Sequence, residues 1–126
     1  MQTHYDRLGG QEKIRQLVDH FYDLMDEMPE YYAIRKLHPQ DLSGSRQKLF
    51  MFLCGWMGGP PLYVEAYGHP MLRARHLPFP IGELERDQWM NCMRQSMHAL
   101  GVEAQLQREL GEAFFKTADH MRNRQG

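Results

Sequence analysis

Cysteine is scarce in this chain: only Cys54 and Cys92 occur, far apart, which leaves neither a disulfide framework nor a CxxC metal site. That usage fits a reducing cytoplasm. Long apolar runs are missing too. No stretch approaches the roughly 18 consecutive apolar residues of a membrane span, and the opening MQTHYDRLGG lacks the basic-then-apolar order of a secretory signal. Nor is there an excess of either charge. Fifteen Lys and Arg against sixteen Asp and Glu leave a formal net charge of −1, which argues against a nucleic-acid binder working through bulk charge. Strand-like alternation, internal repeats and low-complexity tracts are absent. So are HExxH, a glycine-rich phosphate loop, a GxSxG elbow and any Cys/His nucleophile pattern, which removes several hydrolase and nucleotide-binding classes. Glu83 and Glu85 read as the acidic first turn of a helix rather than as a catalytic pair.

What is there is helical periodicity. With 42% hydrophobic residues in 126, the chain suits one domain, 1–126, around one core. Thr3 can cap a short opening turn ending at Gly9-Gly10. From Gln11, the positions Ile14, Leu17, Val18, Phe21, Met25 and Met28 form one stripe, closed by Pro29. A short helical piece carries Tyr31, Ile34 and Leu37 before His38-Pro39 breaks it. Asp41 or Ser43 can cap the next helix, whose Leu49, Phe52, Leu53 and Trp56 line one face until Gly58-Gly59-Pro60-Pro61. From there to Gly82 the pattern predicts a long loop, too apolar for a solvated linker. Helices are expected again from about Glu83 to Leu100, with Trp89, Met93, Met97 and Leu100 in register, and through Leu106, Leu110, Ala113, Phe114, Thr117 and Met121, followed by a polar tail. Ten methionines suit an adaptable core beside a large ligand. The class is all-α.

The chemistry rests on a lone histidine. His76 stands in Arg73-Ala74-Arg75-His76-Leu77-Pro78-Phe79, flanked first by cations and then by apolar residues. A haem asks for one neutral imidazole on iron, apolar contact for the macrocycle and cations for its propionates. The same run also reads as a half-buried loop histidine between solvated arginines.

Several motifs in order separate these readings. Tyr5-Asp6-Arg7-Leu8-Gly9-Gly10, Phe21-Tyr22, Met51-Phe52-Leu53 followed by Gly58-Gly59-Pro60, and Gly68-His69-Pro70 are similar to the truncated haemoglobins, specifically their second group. The most specific part is Leu72-Arg73-Ala74-Arg75-His76-Leu77-Pro78-Phe79, then Glu85-Arg86-Asp87-Gln88-Trp89. The resemblance covers nearly the whole chain. It implies a shortened globin, two helices packed over two around haem b, with His76 as the proximal iron ligand and the long loop replacing most of the usual proximal helix.

By the same resemblance Trp89 and Tyr22 are the distal tryptophan and first-helix tyrosine, whose N–H and O–H can donate to bound oxygen. Without it, Trp89 reads as core and Tyr22 as a partly exposed helix tyrosine. Ser45 falls at a distal gate position and is too small to close it; Leu49 and Phe52 wall the pocket. Lys48, Tyr63, His69 and Arg75 are candidates for propionate or haem-edge contacts, with Leu72, Phe79 and Ile81 against the ring. His38 stands where the family more often has Phe or Tyr; it extends the distal polar network, lies over the ring, or binds iron when no external ligand is present.

The function implied is binding of O2 and related diatomics, CO and NO, at a His-ligated iron. Slow release from several donors suits redox handling of O2, NO or peroxide, as a nitric-oxide dioxygenase or peroxidase-like activity served by an unidentified reductase, better than oxygen transport. A haem-based sensor or interaction module ranks second, no further element following the last helix in this sequence. A haem-free helical protein, equally stable without haem, ranks third. Monomer and homodimer are both open.

Overall fold

The computed structural model describes residues 2–125. Its secondary structure is entirely helical among them. Thr3 opens α1 (His4–Leu8) through a capping box in which its hydroxyl accepts from the Asp6 N–H while the Asp6 carboxylate accepts from the Thr3 N–H. Helix α2 (Gly10–Glu27) follows and buries the stripe Ile14, Leu17, Val18, Phe21 and Met25. Met28 is extended (φ −96°, ψ 119°), as a residue before proline prefers, and Pro29 starts a 3-10 turn (Pro29–Tyr31) that runs into α3 (Tyr32–Arg35).

Helix α4 (Ser43–Trp56) is capped from outside its first turn: the Asp41 carboxylate accepts from both the N–H and the hydroxyl of Ser43. The expected single face on α4 is two faces. Phe50, Leu53, Cys54 and Met57 enter the core, while Leu49, Phe52 and Trp56 are half-buried and pack against its edge. A helix apolar on both sides is sandwiched between two partners, here the α2 side and whatever lies toward α5.

The predicted loop between Gly58 and Gly82 is corrected by two short helices, α5 (Leu62–Tyr67) and α6 (Leu72–His76). Six and five residues are too few to display a 3.6-residue period, and Pro61 acts as a helix start rather than a break. Helices α7 (Glu83–Ala99) and α8 (Ala104–His120) complete the fold. Met90, Cys92 and Ser96 on α7 are buried beside the expected Met93 and Met97, and Trp89 is half-buried.

Two helix pairs, α2 with α4 and α7 with α8, are stacked through the α2–α7 contact: the expected two-over-two arrangement. Helix α1 braces α2 and α8, and the Arg7 guanidinium holds the Glu109 carboxylate at 2.7 Å. The expected polar tail is docked rather than free. Asn123 and Arg124 donate backbone N–H groups to the Ile81 carbonyl, and the Asn123 side chain accepts from the Ile81 N–H. No helix among the described residues is long and apolar enough to cross a membrane.

Candidate functional site

His76 is the last residue of α6. Its Nδ1 lies 2.6 Å from the Leu72 carbonyl oxygen, one turn earlier. A carbonyl only accepts, so this bond puts the proton on Nδ1 and leaves the Nε2 lone pair free. An imidazole fixed in this way is suited to hold a metal. Leu72 thus orients His76 through its backbone while its own side chain is half-buried.

His38 repeats the device. Its Nδ1 lies 2.8 Å from the Ile34 carbonyl, again one turn back, so its Nε2 is also an acceptor. Burial holds the His38 imidazole below the usual histidine range, and the nearby Arg35 and His76 push the same way against the Ile34 carbonyl.

Tyr22 is buried rather than partly exposed. Its ring packs edge-on to Phe21 at 5.1 Å and to His38 at 5.7 Å, with the Arg46 guanidinium 5.8 Å from its centroid. Burial pushes its phenol far above the usual range, so it stays a neutral O–H donor. Trp89 lies 5.2 Å from Phe21 and 5.5 Å from Phe114, ring centroid to centroid. No hydrogen bond among the described residues uses the Tyr22 hydroxyl or the Trp89 indole N–H, and no sealed side-chain N or O atom lacks a partner. Both donors therefore reach accessible space.

On α4, Ser45, Lys48, Leu49 and Phe52 fall at i, i+3, i+4 and i+7, which puts them on one side of the helix. The Phe52 ring meets Tyr63 of α5 at 6.3 Å, and Tyr63 is buried. Lys48 Nζ sits 5.7 Å from the Tyr67 ring, and the Arg75 guanidinium 5.9 Å from Tyr63. Neither cation forms an ion pair among the described residues. His69, between α5 and α6, is exposed and makes no hydrogen bond there. Phe79 is 40% exposed, large for an aromatic ring with no covering element, whereas Ile81 is buried.

An apolar cavity of about 230 Å³ lies beside this face, lined by residues that include Met51, Phe52, Trp56, Tyr63 and Pro70. A shallower cleft of about 590 Å³ beside His20, Arg94 and His98 lies on the outer side of α2 and α7. His76 lines neither.

Arg46 and Asn123 escaped sequence reasoning, and Arg73, read there as a cation flanking His76, turns out to bind the C-terminal segment. Arg46 clamps α4 onto α2 by donating to the Asp19 carbonyl and the Asp23 carboxylate, beside Tyr22. Asn123 donates to the carbonyls of His76 (3.3 Å) and Phe79 (2.8 Å), and Arg73 to those of His120 and Arg122. Arg46 could have been found from its spacing to two acidic residues on α2. Nothing in the sequence pairs Asn123 with positions more than forty residues upstream.

Residues 3–123 match the family described as bacterial-like globin. The chain is 43% identical over 114 residues to the group 2 truncated haemoglobin YjbI of Bacillus subtilis, covering 90% of this chain and 84% of that protein. Among solved structures it is similar to the group II 2-on-2 haemoglobin of Agrobacterium tumefaciens, with a TM-score of 0.95, 44% identity and coverage of 100% and 97% of the two chains. It is also similar to the truncated oxygen-avid haemoglobin of Bacillus subtilis, with a TM-score of 0.87, 42% identity and coverage of 97% and 100%.

Proposed function

The chain belongs to the bacterial-like globin family as a group II truncated haemoglobin of the two-on-two fold, a haem-iron family, and from that we propose that it holds haem b through His76 and binds O2 and related diatomic ligands opposite. The observation that carries the reading is the His76–Leu72 bond, which leaves a neutral Nε2 as an iron ligand. Held by His76, haem would supply an iron able to bind O2, CO or NO.

The chain's own residues meet the remaining requirements. Leu49, Phe52, Leu72, Phe79 and Ile81 offer apolar contact, and Tyr63 backs them. Lys48 and Arg75, unpaired among the described residues and held over tyrosine rings, suit propionates, with His69 at the same edge. Tyr22 and Trp89 are the two free donors for a partly negative ligand, and small Ser45 leaves the approach open. His38 complements them: its Nε2 accepts, so it pairs with a protonated species such as peroxide or with the Tyr22 hydroxyl rather than with bound O2 itself.

Donors of this kind slow release, in keeping with the similarity to the oxygen-avid truncated haemoglobin of Bacillus subtilis. Slow release favours redox handling over transport. Nitric-oxide dioxygenation fits, NO and O2 giving nitrate with one electron supplied by a reductase, as does reduction of peroxide to two waters with two electrons from such a reductase and two protons, one of them passed through His38. Stopped-flow measurement of O2 release from wild type, Tyr22→Phe and Trp89→Phe tests this. Each lost donor should weaken the hold on O2 by about 1–2 kcal/mol, which is roughly 5- to 30-fold faster release. Unchanged release in both variants would remove the distal assignment.

A further inference from the structure

Helix α6 buries no residue, yet it carries His76. Its Leu72 and His76 are only half-buried and the rest of it is exposed, so packing holds it weakly and polar contacts carry much of its placement. Those contacts come almost entirely from the C-terminal segment. Near the start of α6, the Arg73 guanidinium donates to the carbonyls of His120 (2.6 Å) and Arg122 (3.0 Å). At its end, the Asn123 side-chain amide donates to the His76 carbonyl itself and to that of Phe79. The same side chain accepts from the Ile81 N–H at 3.0 Å, and two backbone N–H groups, those of Asn123 and Arg124, close on the Ile81 carbonyl.

The segment is in turn anchored on α7, the helix paired with its own α8. Asp119 accepts from both Arg86 on α7 and Arg122, each at 2.8 Å, and Arg122 also faces Glu83 at 3.7 Å. Arg86 precedes Trp89 by one helical turn. Residues 119–124 thus run from the helix carrying the distal indole to the helix carrying His76.

We infer that Asn123, with Arg73, is a positioning residue that holds the backbone of residues 76–81 and so sets how the His76 imidazole is presented to iron. The inference rests on the His76 reading above. The His76 ring is fixed to α6 by Leu72, and α6 is fixed to the molecule by the tail; without the second link the first aligns the ring only to a loose helix.

Asn123→Ala removes three side-chain hydrogen bonds. Asn123→Asp is the narrower variant, since it retains an acceptor for the Ile81 N–H and loses both donors. Both are compared as full-length haem-loaded proteins with Arg7→Gln, which breaks the remote pair with Glu109. Three readouts are taken: the iron–histidine stretching band of the reduced protein, the rate of haem loss to an acceptor globin, and amide exchange over residues 72–82. Asn123 variants should shift or broaden the band, speed haem loss on the order of 10-fold and raise exchange in that segment. Arg7→Gln should lower Tm without moving the band. If the Asn123 variants lose only Tm, with band and local exchange unchanged, the residue is merely structural and the inference fails. If His76→Gly retains the wild-type band, it is the ligand reading that fails instead. Should Asn123→Ala not fold, Asn123→Asp and Arg73→Met decide on the same readouts.

Discussion

At the scale of single residues, the site is built by giving each polar group one fixed job. His76 and His38 each spend Nδ1 on the carbonyl four residues back, which sets the tautomer and turns both rings into Nε2 acceptors. Tyr22 and Trp89 keep their protons and their freedom to donate. The thiols are removed from chemistry: Cys92 donates to the Phe21 carbonyl, and burial pushes it up to about 12. The most strongly perturbed carboxylate lies outside the site. Arg7, then His4 and Gln105, hydrogen-bond Glu109 and hold it down at about 2, below its ordinary 4.5. A carboxylate depressed in the folded state stabilises fully above its unfolded pKa and loses that contribution as the pH falls through the folded one. Glu109→Gln should therefore lower Tm at neutral pH and flatten its fall between about pH 4.5 and 2. Wild-type and variant melting curves across that range check this; parallel curves would dismiss the pair.

At the scale of elements, legibility followed length. Helices α2, α7 and α8 are 17 or 18 residues long, and their apolar periods are written out in full. Helices α5 and α6 are too short for a period, and α4 is apolar on two sides, so its core face was misread. His76 stood out in the sequence because cations and apolar residues cluster around it and the surrounding motifs resemble a family. Asn123 was not, because a tail that folds back makes only long-range polar contacts, for which a sequence has no periodic signal. The Gly58-Gly59 pair is an element-scale joint. Gly58 has φ +97°, and a Cβ on Gly59 would run into the Tyr5 ring, so bare backbone lets α1 lie over the end of α4, where the Tyr5 N–H reaches the Met57 carbonyl. Gly59→Ala should cost about 1–3 kcal/mol and lower Tm by roughly 5–10 °C while leaving the haem spectrum unchanged. Calorimetry beside an absorption spectrum measures both; an unperturbed Tm would show that Tyr5 yields easily.

At the scale of the whole molecule, the two helix pairs are joined by aromatic rings as much as by aliphatic core. Tyr22, Phe21, Trp89, Phe114, Trp56, Phe52, Tyr63 and Tyr67 make successive contacts with centroids 4.7–6.4 Å apart, from the distal helix α2 to α5 on the far side. Trp89 packs against the core, and in the function proposed above its free N–H is also a donor; replacing it by Phe rather than Ala separates the two roles. The proposed distal donors, α4 face and tethered α6 all depend on His76 being the iron ligand, and that residue is where the account is most exposed. The decisive measurement is the absorption spectrum of haem-reconstituted protein, ferric, dithionite-reduced and CO-bound, for wild type beside His76→Gly. The account predicts stoichiometric haem in the wild type, a histidine–haem–CO Soret band on adding CO, and its loss or alteration in the variant. Spectra of His76→Gly matching wild type in all three states, or a wild type that takes up no stoichiometric haem, would contradict it.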